Sequence, residues 1–201
     1  MGQPSTSQEK EDTDMLHQNS DGNDKLRFRP ERIYLVGMPG SGKSSSGRLL
    51  ARLLGYAFED LDTAIEQAAG MSVNDLFNSK GEVFFRELET NCLEAFYTRS
   101  DLVLATGGGA VLNNIDRMLQ QGWVLWLDIP VNELIRRISV GAERRPMFRN
   151  LSSEKLEMKV WELYRQRQSL YALAHRRVSD EQALIDWGQR ILFLPRVDRN
   201  R

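Results

Sequence analysis

Cysteine is almost missing from this chain: Cys92 stands alone among 201 residues. One cysteine builds neither a disulfide framework nor a thiolate zinc site. Long apolar runs are lacking too, and none approaches the ~20 residues that cross a bilayer as a helix. Neither charge is in surplus. The formal net charge is −1, and no basic stripe is laid out along the chain, which argues against nucleic acid as the main partner. No Asn-Lys-x-Asp sequence occurs, so the guanine-recognition motif of a GTPase switch is absent. The start of the chain lacks the basic and apolar segments of a secretory signal and is too acidic for a transit peptide. These exclusions leave a cytoplasmic enzyme, with no membrane partner, long enough for one α/β domain with a real core.

What is present begins with Gly37-Met38-Pro39-Gly40-Ser41-Gly42-Lys43-Ser44. The apolar run Ile33 to Val36 precedes it and reads as a buried parallel strand. Leu49, Leu50, Leu53 and Leu54 follow at helical spacing. Strand, glycine loop and helix stand in the order a phosphate-binding loop requires, and the spacing fits G-x-x-x-x-G-K-[ST] in full. Here the backbone can approach an anion without Cβ clashes. Its N–H groups, with the positive end of the helix dipole, surround the phosphates. The candidate cradle is Gly40, Ser41, Gly42, Lys43, Ser44 and Ser45. Lys43 would reach the β- and γ-phosphates, and the Ser44 hydroxyl would hold Mg²⁺. A bound nucleoside triphosphate is the expectation.

Residues 1–28 are rich in Gln, Ser, Asp, Glu and Asn, with Met15 and Leu16 nearly alone as hydrophobes. Such a segment buries too little apolar surface to offset its chain entropy and reads as a disordered tail. Its first six residues fit the myristoylation pattern, but the acidic residues that follow would be repelled by an anionic membrane. A single domain is expected over 29–201. A second strand, Tyr56 to Glu59, runs into Asp60-Leu61-Asp62. Helical patterns follow at 63–69, at 73–79 with Ser72 as N-cap, and at 81–98, where Phe85, Leu88, Cys92 and Phe96 share a face. Then come a strand at 102–105, Gly107-Gly108-Gly109, a helix at 114–120, a strand at 123–128 and a helix at 131–140. A polar segment at 141–151 precedes a long helix at 153–174. A weaker strand, a helix and a final strand, Ile191 to Leu194, close the chain. This alternation implies right-handed crossovers and a parallel sheet covered on both faces.

Asp60 and Asp62 fall at the carboxyl edge of that sheet, where ligands bind in such folds. Two residues apart on an extended segment, their carboxylates would point the same way. One would serve Mg²⁺ and the other deprotonate an acceptor hydroxyl; the bland alternative is a helix cap. Arg167 falls on the apolar stripe of Leu156, Val160, Leu163, Leu170 and Ala174. A cation there needs a carboxylate or phosphate, supplied by a ligand or by an internal salt bridge. Arg86 flanks Phe85, with Glu82 one turn earlier as an i,i+4 partner. Arg144, Arg145 and Arg149 lie in the polar segment, which has the length of a lid. Val124 to Asp128 resembles a strand ending in a magnesium-binding Asp, although Pro130 favours Asp128 as a helix cap.

Taken in order, the loop, Asp60-Leu61-Asp62, Gly81-Glu82-x-x-Phe85-Arg86-x-x-Glu89, Gly107-Gly108-Gly109, Arg145-Pro146 and Arg167-x-x-Leu170-Tyr171 resemble shikimate kinase from about residue 32 to 178. The resemblance implies an α/β P-loop NTPase fold of the nucleoside-monophosphate-kinase type. It implies a five-stranded parallel sheet ordered 2-3-1-4-5 with helices on both faces. Within the kinase domain, a substrate-binding region is expected at about 60–98 and a lid at about 141–151. The implied reaction moves the γ-phosphoryl of ATP, with Mg²⁺, to the 3-hydroxyl of shikimate in aromatic amino-acid (chorismate) biosynthesis. By the same resemblance Asp62, Arg86, Gly107, Gly108, Gly109 and Arg167 hold shikimate, the two arginines gripping its carboxylate. Ser44 and Asp60 serve the metal, Lys43 and Arg145 contact phosphates, and Arg137 lies near adenine. Lys43, Asp62 and Arg145 would carry catalysis, in a monomer. The chain departs from the family at Met147-Phe148, commonly two leucines, and at Ser169, commonly proline. The competing reading is a related small-molecule kinase such as a gluconate kinase, whose neutral polyol would not need the Arg86 and Arg167 pair.

Overall fold

The computed structural model describes residues 26–141 and 146–196. The expected tail and the arginines Arg144 and Arg145 lie almost wholly or wholly outside them. The described chain runs β1 Arg32–Val36, α1 Lys43–Leu54, β2 Ala57–Asp60, α2 Leu61–Ala69, α3 Val73–Ala95, β3 Leu102–Ala105 and α4 Val111–Gln121. It continues with β4 Trp123–Leu127, α5 Val131–Val140, a short 3-10 turn Pro146–Phe148, α6 Ser153–Tyr171, β5 Arg176–Val178 and α7 Glu181–Leu192. All strand pairs are parallel, in the order β2-β3-β1-β4-β5. This is the architecture expected from the sequence.

Strand β1 shows why the sheet is buried on both faces. Tyr34 and Val36 pack with α2 to α6, while Ile33 and Leu35 pack with α1 and α7. The first face collects Leu61, Ile65, Phe85, Ile115, Ile138 and Val160. The second collects Leu50, Leu54, Leu184, Trp187 and Ile191. Each fully buried Leu or Ile contributes about 1.5–3 kcal/mol, so two separate apolar clusters clamp the sheet. Phe148 is fully buried in the first cluster and pins the polar segment to the domain.

Four expectations are corrected. Ile191 to Leu194 do not form a strand: Asp180 caps α7 by accepting from the Ala183 N–H, and the helix runs through Leu192 with Ile191 on its buried stripe. Asp128 does not cap α5, whose N-cap is Pro130 with no side-chain cap bond; it forms an ion pair with Arg177 instead. Asp60 and Asp62 do not share an extended segment, because Asp60 ends β2 and Asp62 lies in the first turn of α2. The helices expected at 73–79 and 81–98 join end to end as α3 across Gly81, whose φ of 82° and ψ of 174° break the helical path. The expected N-cap at Ser72 is present, accepting from the Asp75 N–H at 3.1 Å.

Candidate active site

Every candidate group on the described chain sits at the carboxyl edge of the sheet. Gly42 takes φ 91° and ψ 17°, a left-handed conformation that lets the loop turn directly into α1. No side chain caps α1, so the first-turn N–H groups, including those of Ser44 and Ser45, face the loop as anion donors. Lys43 folds back over the same loop, its Nζ donating to the Gly37 and Met38 carbonyls at 2.9 Å each. Ser41 is buried beneath it. Across the loop, α5 brings Arg137 close: a Cβ on Gly42 would lie 4.0 Å from its guanidinium, and one on Gly40 would lie 3.0 Å from Ile138. Glu133 holds Arg137 through Nε at 2.7 Å.

The Ser44 hydroxyl donates to Asp60 Oδ2 at 2.6 Å, joining loop to β2. The other Asp60 oxygen accepts the Asp62 N–H at 3.1 Å, so the capping role coexists with the loop contact. Two hard oxygen donors beside a phosphate loop suit Mg²⁺, which takes few protein ligands and completes its shell with phosphate oxygens and water. Among the described residues no group of three or more His, Cys, Asp or Glu forms a metal cluster.

Asp62 opens to solvent at the mouth of a crowded recess. Desolvation by the surrounding protein raises its pKa, the Asp60 carboxylate adds to the rise, and Lys43 and Arg86 oppose it. Lys43 and Asp62 therefore feel one another across the boundary between the nucleotide loop and the second half of the site. That half is floored by the triple glycine after β3. A Cβ on Gly107 would lie 2.9 Å from Asp62 Oδ1 and 3.1 Å from Glu89 Oε1, and one on Gly109 would clash with the Arg86 guanidinium. The glycines thus admit the side chains that line the recess.

Arg86 donates to Glu89 at 2.7 Å and, more loosely, to Glu82 at 3.3 Å. The i,i+4 partner Glu82 is the weaker of the two and the i,i+3 partner Glu89 the stronger. Glu89 is only 1% exposed, its Oε1 has no hydrogen-bond partner, and burial raises its pKa against the pull of Arg86. Its signal in the sequence is the same as that of Arg167: a charge three residues along from Arg86 on an otherwise apolar helical face. Arg167 itself is 4% exposed, its Nε lacks a hydrogen-bond partner, and no described carboxylate forms an ion pair with it. Its charge acts on the buried Glu89 carboxylate and on the Tyr171 hydroxyl. The structure gathers Lys43, Ser44, Asp60, Asp62, Arg86, Arg137, Arg167 and the glycines around one edge, while Arg145 falls outside the described residues.

The comparisons with known proteins point the same way. The family model described as shikimate kinase matches residues 39–188. A shikimate kinase of Persephonella marina is 42% identical over 151 residues, covering 74% of this chain and 88% of its own length. Among solved structures, shikimate kinase from Bacteroides thetaiotaomicron aligns with a TM-score of 0.74 at 30% identity, covering 81% of this chain and 96% of that one. Shikimate kinase from Acinetobacter baumannii in complex with shikimate aligns at 0.69 and 40% identity, covering 81% and 90%. A gluconokinase from Sinorhizobium meliloti aligns at 0.50 with 17% identity and shares the fold alone.

Proposed function

The chain belongs to the shikimate kinase family, an ATP-dependent kinase that phosphorylates shikimate, and from that premise we propose how its residues divide the work. The observation that carries the proposal is Arg167, a buried cation with an unpartnered Nε whose charge acts, with that of Arg86, on Glu89 and Tyr171. The buried Glu89 carboxylate near it is already engaged by Arg86, so two buried cations share one carboxylate and a further anion suits them. A planar carboxylate suits a guanidinium fork, which a neutral polyol does not need. Arg86 and Arg167 hold the shikimate carboxylate, and Gly107, Gly108 and Gly109 form the floor beneath the ring. Glu89 aims the Arg86 guanidinium from below.

At the opposite end, Asp62 orients the 3-hydroxyl and takes its proton as the oxygen attacks the γ-phosphorus; the products are shikimate 3-phosphate and ADP. A raised pKa makes Asp62 a better proton acceptor. The cradle from Gly40 to Ser45 binds the phosphates through backbone N–H groups. Lys43 leaves its loop carbonyls to follow the β- and γ-phosphates, Arg145 neutralises the transferred group, and Arg137 lies against the adenine side. Ser44 and Asp60 would hold Mg²⁺, which would supply positive charge against the charge developing on the phosphates. The enzyme acts as a cytoplasmic monomer; among the described residues no helix is long and apolar enough to cross a membrane.

Arg86→Lys tests the assignment. It keeps the charge and loses the fork. Each charge-assisted contact is worth ~1.5–3 kcal/mol, so KM for shikimate should rise about ten- to hundredfold while KM for ATP stays put. A variant with an unaltered shikimate KM, or a raised ATP KM alone, contradicts the carboxylate assignment.

A further inference from the structure

Tyr171 ends α6, one turn after Arg167, and is fully buried. Its hydroxyl donates to the carbonyl of Gly108, the middle of the triple glycine, at 2.5 Å. Its ring stacks on Trp126 of β4, with centroids 5.9 Å apart and planes 24° apart. The same glycine is pressed from the nucleotide loop, since a Cβ there would lie 2.9 Å from Pro39 Cδ. Met38 of that loop brings its sulfur within 4.0 Å of the hydroxyl.

The ring alone is explained by packing, and phenylalanine would serve that purpose equally. The hydroxyl is not. A polar group in an apolar cluster costs free energy unless it is bonded, and this one donates to a carbonyl 63 residues away while its oxygen faces the Arg167 guanidinium. We propose that Tyr171 is a positioning residue for the acceptor: its hydroxyl fixes the Gly108 carbonyl, and with it the height of the glycine floor relative to Arg167. The inference rests on the reading that Arg86, Arg167 and the glycines hold shikimate. Burial keeps the phenol protonated, pushing its pKa up to about 12 against the pull of Arg167, so it donates throughout the working pH range. One helix thereby sets both the cation that grips the acceptor and the floor on which the acceptor rests.

The test is Tyr171→Phe, with KM for shikimate, KM for ATP and kcat measured together and the shikimate dissociation constant measured by calorimetry without nucleotide. Losing one ordinary hydrogen bond should raise the shikimate KM and dissociation constant about three- to tenfold. KM for ATP should stay nearly unchanged. Leu184→Ala is the control, because it loosens the opposite face of the sheet, away from the site. It should lower the melting temperature at least as much as Tyr171→Phe and leave the shikimate KM where it was. An unmoved shikimate KM in Tyr171→Phe, or an equal rise in Leu184→Ala, overturns the proposal. If wild type turns over shikimate while Tyr171→Phe binds it normally, this inference alone falls. If wild type refuses shikimate, the reading beneath it falls as well.

Discussion

At the scale of single residues, the site is a set of charges held where they are individually uncomfortable. Asp62 is the clearest case. Desolvation and the Asp60 carboxylate raise its pKa from the ordinary value of 3.8. A carboxyl whose folded-state pKa lies above its unfolded value costs stability once pH passes the unfolded pKa, because the ionised form is better solvated in the unfolded chain. Asp62→Asn removes that cost and the proton acceptor together. We therefore expect kcat to fall about 10²- to 10⁴-fold while the melting temperature at neutral pH holds or rises. In wild type the active form is the carboxylate, so kcat/KM should fall as pH drops through the raised pKa. The acid limb should thus lie at higher pH than for an unperturbed aspartate. Thermal denaturation and a pH–rate profile check both; a variant with near-normal kcat would remove Asp62 from the chemistry.

At the scale of elements, α6 matters most, since it carries Arg167 and Tyr171 and leads into β5 through His175. The His175 ring stacks on Trp123 with centroids 4.3 Å apart, and Nδ1 accepts the Val124 N–H at 3.0 Å. Only the neutral ring accepts there, and burial lowers its pKa below 6.5. Its stabilising contribution is present above the unfolded pKa and is lost as pH falls through that value towards the folded one. His175→Asn keeps an acceptor that cannot titrate. Wild type should therefore lose more melting temperature than the variant between about pH 7 and 5; parallel curves would contradict this. The raised carboxyls Asp62 and Glu89 act in the opposite sense in both proteins and cancel in the comparison. Elements bounded by glycine and filled with apolar residues, such as β1, β3 and α1, are legible in the sequence because their pattern is local. The errors fall where distant chain decides. Ile191 and Leu192 look like a strand until Leu184 and Trp187 show them to be a helical stripe. Asp128 looks like a cap until Arg177, on a neighbouring strand, takes it. Asp60 and Asp62 lie at the carboxyl edge as expected, yet the shared extended segment argued for them fails because α2 begins sooner than its apolar pattern suggests.

At the scale of the whole molecule, the parallel sheet separates support from chemistry. The two ends of the described domain meet at the amino edge, where the Arg29 N–H donates to the Pro195 carbonyl at 2.8 Å and Tyr56 donates to the Pro30 carbonyl at 2.9 Å. Loops from β1, β2 and β3 meet at the opposite edge, so the two clusters of the core can be rigid while the carboxyl edge gathers the charged groups. The fold is shared with a gluconokinase, so the choice of acceptor must come from the site rather than the fold, and the proposed function assigns it to charged groups at this edge. The most direct test is ADP release from ATP by the full chain, measured against shikimate and gluconate side by side with product identified by phosphorus NMR. The account predicts turnover with shikimate, a single new phosphate ester on its 3-hydroxyl, and no turnover with gluconate. Phosphorylation of gluconate with shikimate left untouched would contradict it.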